Sequence, residues 1–441
     1  MKNISFFQVG VIGVFIFFII FAVLIFSGVI PGFGSDSAGG GTVTVWGSVP
    51  DEIFNLVVKN NETLPDSNIT ISYVEVPSTS FESTLVNALA RGEGPDLIIL
   101  PHTLVYQHAD KITPISYDTV SAREYQDAFV SEGSLFQTSA SILALPLYVD
   151  PLVMYVNNDI FTNAGYTNVP TLWSQFVDAS TGRSVVQTLT TTTANGVVEK
   201  SAIALGDFSN VNHAKDILSL LFLQAGSSVV KTSDSGSGYV SDLGSTSSSG
   251  SVSPGVSALN FFTQFASRGK TTYTWSGTLP KSKNAFSSGV LAVYMGLASE
   301  LPELQEKNPH LNFDMALVPQ RATGSSLTYG NLYGVAILRR TSNPTLALLT
   351  AQIMTAKEFS SALASALSVA SARRDTLNTQ SSDALRAVID QSALISRGWL
   401  DPDSGETETI FGTMVQSVVI GSSESSSAVA RAHQELSALL K

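Results

Sequence analysis

Few residues in this 441-residue chain have the types and spacing that chemistry requires. Ser267-Arg268-Gly269-Lys270 has the S-x-x-K spacing in which a lysine amine activates a serine hydroxyl. No S-D-N or K-T-G segment accompanies it, so a chance match in a serine-rich chain is the reading adopted. The histidines His102, His108, His213, His310 and His433 are scattered, whereas a metal site needs imidazoles converging with carboxylates. They are read as surface or capping residues, and no metal or cofactor is expected. Asp401-Pro402-Asp403-Ser404-Gly405-Glu406 is rich in oxygens like a calcium loop, but its glycine is misplaced and no glutamate stands twelve residues in. A proline-containing turn is expected there. The glycine-rich phosphate loops, H-E-x-x-H and G-x-S-x-G are missing, and there is no cysteine. These absences point to a protein that binds rather than catalyses.

Charge and hydropathy narrow the partners and the compartment. Lys and Arg number 24 against 36 Asp and Glu, a net charge of −12, whereas nucleic-acid binders need clustered cations. No nucleic acid is expected. Val9 to Ile30 is an uncharged apolar stretch broken only by Gly10, Gly13, Ser27 and Gly28. At about 1.5 Å rise per residue it spans the ~30 Å hydrocarbon layer. Lys2 precedes it and no Lys or Arg follows until Lys59, so residues 1–8 form a cytoplasmic tail and everything after Phe33 lies outside. The apolar core is longer than that of a signal peptide and the small-residue site near Ser35 to Ala38 is poor, so 9–30 is expected to stay as a transmembrane anchor. Residues 31–41 read as a flexible Gly/Ser linker.

The elements that must position any site begin with alternating strands and helices. Thr42 to Trp46 reads as a buried strand, and Ile53, Phe54, Val57 and Val58 recur at helical spacing. Ile69 to Val76 is β-branched and stops at Pro77; Ser80 then caps a helix buried on Phe81, Leu85, Ala88 and Leu89, and Asp96 to Leu100 is the next strand. Each helix acts as a crossover, so the sheet is parallel and the fold α/β. Ligands bind beyond the carboxyl ends of such strands, here Trp46-Gly47-Ser48, Pro77-Ser78-Thr79 and Pro101-His102. Farther on, Ile217, Leu218, Leu221 and Phe222 make one face of a helix, and Lys231 to Gly255, dominated by Ser and Gly, reads as a mobile surface loop.

Four ordered blocks then resemble the substrate-binding proteins of ABC importers, of the maltose-binding-like, extracellular solute-binding family 1 type. The first is the strand Thr42-Val43-Thr44-Val45-Trp46-Gly47, with Arg91-Gly92-Glu93-Gly94-Pro95-Asp96 following the second helix. The most specific is Leu143 to Phe161, which resembles the family's first hinge crossing, followed by Pro170-Thr171-Leu172-Trp173. Ala285 to Gly296, Val318-Pro319 and Tyr329 to Ile337 complete the series.

The resemblance implies a two-lobed periplasmic-binding-protein-like fold with hinge strands, lobe I from 42–149 and 331–385 and lobe II from 150–330 and 386–441. Crossings are implied near Tyr148 to Pro151, Gly330 to Gly334 and Ala384 to Ile389. It implies a non-enzymatic, monomeric receptor that captures a small molecule, most readily a sugar, and delivers it to the permease subunits of an ABC transporter at the cell membrane. Carried over residue by residue, its cleft comprises Trp46, Ser48, Ser80, Tyr148, Asp150, Met295, Gly296, Ser299, Tyr329, Gly330 and Tyr333, with Trp275 and Trp399 as aromatic walls; Trp173 is assigned to packing. Three departures stand out, one being that the Ser/Gly loop from Lys231 to Gly255 is longer and looser than the family implies. Leu297 follows Gly296 where many sugar-binding members place a tryptophan, and the lipid-anchor cysteine is replaced by the transmembrane segment. The competing readings are a surface hydrolase built on Ser267 and Lys270, and an adhesion or sensor module on the same fold.

Overall fold

Strand Gly41–Gly47 pairs in parallel with both Ile69–Glu75 and Leu97–Pro101, as the intervening helices Asp51–Asn60 and Phe81–Arg91 require. The computed structural model describes residues 40–180, 182–233, 238–245 and 253–440. The expected membrane anchor at 9–30 lies outside them, and among the described residues no helix is long and apolar enough to cross a membrane. Helix Phe81–Arg91 buries Phe81, Leu85 and Ala88, and stops where Gly92 takes the left-handed conformation, φ 78°. Ser80 occupies its N-cap position, but its hydroxyl donates to the Pro77 carbonyl at 3.3 Å instead of capping the helix. The Pro-Asp block has a structural purpose. Asp96 accepts from the Thr44 N–H at 2.9 Å and the Thr341 hydroxyl at 2.7 Å, tying the first strand to the chain that follows the last long one.

Leu145–Asn157 is a thirteen-residue strand buried along its whole length. Its first part pairs antiparallel with Thr328–Ile337, from Val335 opposite Leu145 to Gly330 opposite Pro151. From Leu152 onward its partners are Leu291–Leu297 on one edge and, from Met154, Phe313–Ala316 on the other. The change comes just after Pro151, which has no N–H to give a ladder. One strand therefore belongs to two half-sheets, the first continuing through Leu97–Pro101, the second through Val198–Ile203. Cover on both faces explains its unbroken apolar run. The crossings expected near Tyr148 and Gly330 fall on this pair. The third, expected near Ala384, is a helix rather than a strand: Ala384–Ile395 is capped by Asp383, packs on both long strands, and runs into Ser396–Arg397 beside Thr328–Tyr329.

In the second half, helix Ala214–Ala225 is buried nearly all round, not along one face, because it lies among Pro254–Thr263, Ser404–Val419 and Thr328–Ile337. The polar segment expected as a loop contains a hairpin, Val230–Thr232 with Tyr239–Ser241, pinned by buried Val229 and Leu243; residues 234–237 and 246–252 lie outside the described residues. In the S-x-x-K match, the Ser267 hydroxyl donates to the Thr263 carbonyl at 3.2 Å while Lys270 is exposed and closes a turn through its backbone N–H. Nothing aims its amine at the serine. The Asp-Pro-Asp segment starts helix Ser404–Val419, with the Asp403 carboxylate capping Gly405 and Glu406.

Candidate functional site

Alternation along a strand puts Tyr148 and Asp150 on one face of the crossing. Asp150 lies opposite Asn331, and Tyr148 opposite Tyr333, whose ring stacks on it with centroids 4.6 Å apart and planes 19° from parallel. Asp150 reaches across to the second half. It accepts from the Ser299 N–H at 3.0 Å and the Ser299 hydroxyl at 2.6 Å. Burial pushes its pKa up to about 6, against the pull of the two Ser299 bonds and of His213. Ser299 is exposed, and Asn331 and Tyr333 are half-buried, so this patch meets solvent.

Ser299 is held by the residue after it. Glu300 accepts from the Tyr294 hydroxyl at 2.7 Å and the Leu297 N–H at 3.2 Å, and pairs with Lys283 at 2.8 Å and with His213 at 3.3 Å. Burial alone would raise its pKa, but His213 and Lys283 hold it down near about 2. His213 sits in the left-handed region, φ 56°, just before helix Ala214–Ala225. For a non-glycine residue that backbone is uncommon and tends to mark functional positions. Its burial is outweighed by Asp216 and Glu300, which lift its pKa to about 10, so it is an imidazolium whose charge also lowers the pKa of Asp150. A polar hollow of about 320 Å³ opens beside it, lined by Asn212, Asp216, Lys281 and Glu408 among others. Sequence reading took His213 for a surface or capping residue and passed over Glu300. Only the His213–Asp216 spacing is local; the Glu300 partner comes from another element.

The remaining expected residues divide into two groups. Trp46 is half-buried at the end of its strand, in register with Val74 and Ile98, with Ser48 just beyond and Ser80 half-buried at its helix start. Among the described residues, no hydrogen bond or ring contact joins these three to Asp150. The second group is interior. Met295 and Gly296 face Met154 and Val153 in the second half-sheet; a side chain at Gly296 would run into the Tyr294 ring. Tyr329 is buried with its hydroxyl 3.4 Å from His102 Nε2, and Gly330 packs on Ser396 and Glu132. The two expected aromatic walls are corrected. Trp275 is core, its indole N–H given to Asn210 at 2.8 Å, and Trp399 is stacked on Phe411 with its N–H given to Ser219 at 3.0 Å. Both indoles are satisfied internally and nearly shut from water, though Trp399 borders a hollow of about 400 Å³ with Tyr239 and Arg397. Trp173 packs as expected, its N–H donated to Gln224 at 2.7 Å. Among the described residues no group of three or more His, Asp or Glu is placed to hold a metal ion.

The sequence profile of the bacterial extracellular solute-binding proteins matches residues 59–387. The chain belongs to that family. This solute-binding protein is therefore a receptor of ABC import working outside the cytoplasm, a binder and not an enzyme. Solved structures share its α/β periplasmic-binding-protein-like fold. A cyclic alpha-maltosyl-1,6-maltose binding protein from Arthrobacter globiformis superposes with a TM-score of 0.72 at 16% identity, over 91% of this chain and 100% of that one. The sugar-binding protein of Xanthomonas citri gives 0.70 at 17%, over 91% and 97%. A solute-binding protein from Thermotoga lettingae, bound with alpha-D-tagatose, gives 0.67 at 20%, over 91% and 100%. No curated protein matches the solute-binding protein in sequence.

Proposed function

We propose that this protein is a membrane-tethered receptor that captures a carbohydrate between its two half-sheets and presents it, as a monomer, to ABC permease subunits. We assign lobe I to 42–149 with 331–385 and lobe II to 150–330 with 386–441. The observation that carries the reading is the Asp150 carboxylate, placed on the strand shared by both halves and bonded to Ser299 of the second. Sugar hydroxyls donate to such a carboxylate, and the Tyr148–Tyr333 ring pair supplies an apolar surface beside it. The solved neighbours with maltotetraose and tagatose support the ligand class. The apolar stretch 9–30 supports the tether.

The test is thermal unfolding and calorimetry of the full chain in detergent with maltotetraose, cyclic maltosyl-maltose and tagatose. Ligand at a hundred times Kd adds about 2.7 kcal/mol to stability, read as a rise in Tm. A rise with one of these sugars that Asp150→Asn cuts by half or more at the same sugar concentration supports the assignment. No rise with any of them, alongside a rise with polyamines or peptides, rejects the carbohydrate reading and keeps the receptor.

A further inference from the structure

Where the crossings meet lies a buried acid that the cleft does not use. Glu132, in the 3₁₀ turn Ser131–Phe136, is 1% exposed. Its Oε2 accepts the Ser396 hydroxyl at 2.6 Å, while its buried Oε1 has no partner. Two glycines make room for it. A side chain on Gly330 would come within 2.9 Å of Glu132 Oε2, and one on Gly398 would lie 2.8 Å from both Glu132 Oε1 and His102 Nε2. The carboxyl is thus carried by the first half and wedged between the long strand Thr328–Ile337 and the segment that follows helix Ala384–Ile395.

Helix Ala122–Ala128 and strand Leu145–Asn157 pack on the turn that carries Glu132. The first brings Tyr125, whose hydroxyl donates to the Gly133 carbonyl at 2.9 Å; the second brings apolar Val149 to the same Gly330 position. The other groups come from three further elements. From helix His102–His108 comes His102, also 1% exposed; its Nδ1 accepts the Leu332 N–H at 3.3 Å, so Nε2 carries the proton, toward the Tyr329 hydroxyl at 3.4 Å. From the long strand comes Tyr329. From Ser396–Arg397 comes Arg397, whose guanidinium is bonded to the Ser396 carbonyl at 2.6 Å. The charges of Lys215, Asp216 and Asp401 of the second half act on His102 or Tyr329. Among the described residues none of the cations forms an ion pair with Glu132. Burial pushes Glu132 up to about 8, only partly offset by Ser396 and Arg397, and burial pushes His102 down to about 4. Burial thus favours the neutral form of both.

We propose that Glu132 is a proton-operated pin of the hinge, whose neutral carboxyl group locks the first half against the crossing segments and whose ionisation frees them to move apart. A buried carboxylate without a counter-ion is not tolerated, and the arrangement that relieves it is one in which the junction opens to water. Because the folded-state pKa is raised, the acid's contribution to stability is complete below the ordinary carboxylate range and is lost as pH rises through about 8. The pin acts whatever the cleft binds.

Hydrogen exchange and thermal unfolding of the full chain, ligand-free, across about pH 6 to 9.5 test it, with rates corrected for intrinsic exchange. In the wild type, protection at residues 328–332 and 396–398 falls as pH rises and levels off above about pH 8, the midpoint of ionisation in the closed form. Glu132→Gln fills the same space but does not ionise, so its protection stays flat and its Tm exceeds that of the wild type at the alkaline end. Ser396→Ala removes a bond that favours the carboxylate, so the midpoint moves to higher pH. Parallel loss of protection in wild type and Glu132→Gln, or no transition in the wild type, overturns the proposal. Should Glu132→Gln fail to fold, an unmoved midpoint in Ser396→Ala overturns it equally.

Discussion

In the proposed binding role, Asp150 meets two demands that pull in opposite directions. Folding favours its protonated form, because burial raises its pKa to about 6, so its contribution to stability is greatest below the ordinary carboxylate range and declines as pH rises through about 6. Binding a hydroxyl-rich ligand favours the ionised form, a stronger acceptor. Sugar affinity should therefore weaken as pH falls through about 6 while Tm, corrected for other groups, moves the other way; calorimetry between about pH 5 and 8 checks this. Asp150→Asn should remove the pH dependence and, by losing a charge-assisted bond of about 1.5–3 kcal/mol, weaken binding roughly 10- to 100-fold. The interior tryptophans should behave differently. Trp399→Ala removes a buried indole and should cost about 3–5 kcal/mol in denaturant unfolding. If the loss appeared in ligand affinity with stability unchanged, Trp399 would be a cleft wall after all.

At the scale of elements, helix Ala214–Ala225 is held to helix Ser404–Val419 by a buried charge network. Lys215 gives its ammonium to Asp401 at 2.7 Å, Thr407 at 2.7 Å and the Ser404 carbonyl at 3.0 Å, and lies 5.7 Å from the centre of the Trp399 ring. Removing one member strands the other. Lys215→Ala should cost about 3–5 kcal/mol in urea unfolding, and the double change Lys215→Met with Asp401→Leu should recover much of it, because an apolar pair leaves no buried charge. A single-mutant loss below about 1 kcal/mol would show the pair to be solvated, as surface pairs are. The same helix carries His213 at its start, so damage here should also lower ligand affinity through the His213–Glu300 contact.

For the whole molecule, the strand Leu145–Asn157 makes the two halves mechanically dependent: both half-sheets share it, and the bridge from Asp150 to Ser299 lies where they part. A ligand held by both halves stabilises the closed arrangement by its differential affinity for it. Small-angle scattering with a binding sugar should show a smaller radius of gyration than without. Deleting residues 1–33 should move the protein from the membrane fraction to the soluble fraction with sugar affinity unchanged, since the deletion leaves the first described strand, Gly41–Gly47, intact.

Much of this architecture was legible before any coordinates. The opening strands and helices declare themselves through local periodicity, and the crossovers between them leave only a parallel sheet. Tyr148 and Asp150 share a face because strand side chains alternate, a rule that needs no partner to be known. Contacts between distant segments were not legible. Glu132 meets Ser396 across 264 positions and Lys215 meets Asp401 across 186, and no spacing rule reaches so far. The third crossing became a helix, and Trp275 and Trp399 turned inward, for the same reason. Periodicity says that a side chain is apolar and which face of its element it shares, but whether that face meets water or another layer depends on which elements the folded sheet brings against it.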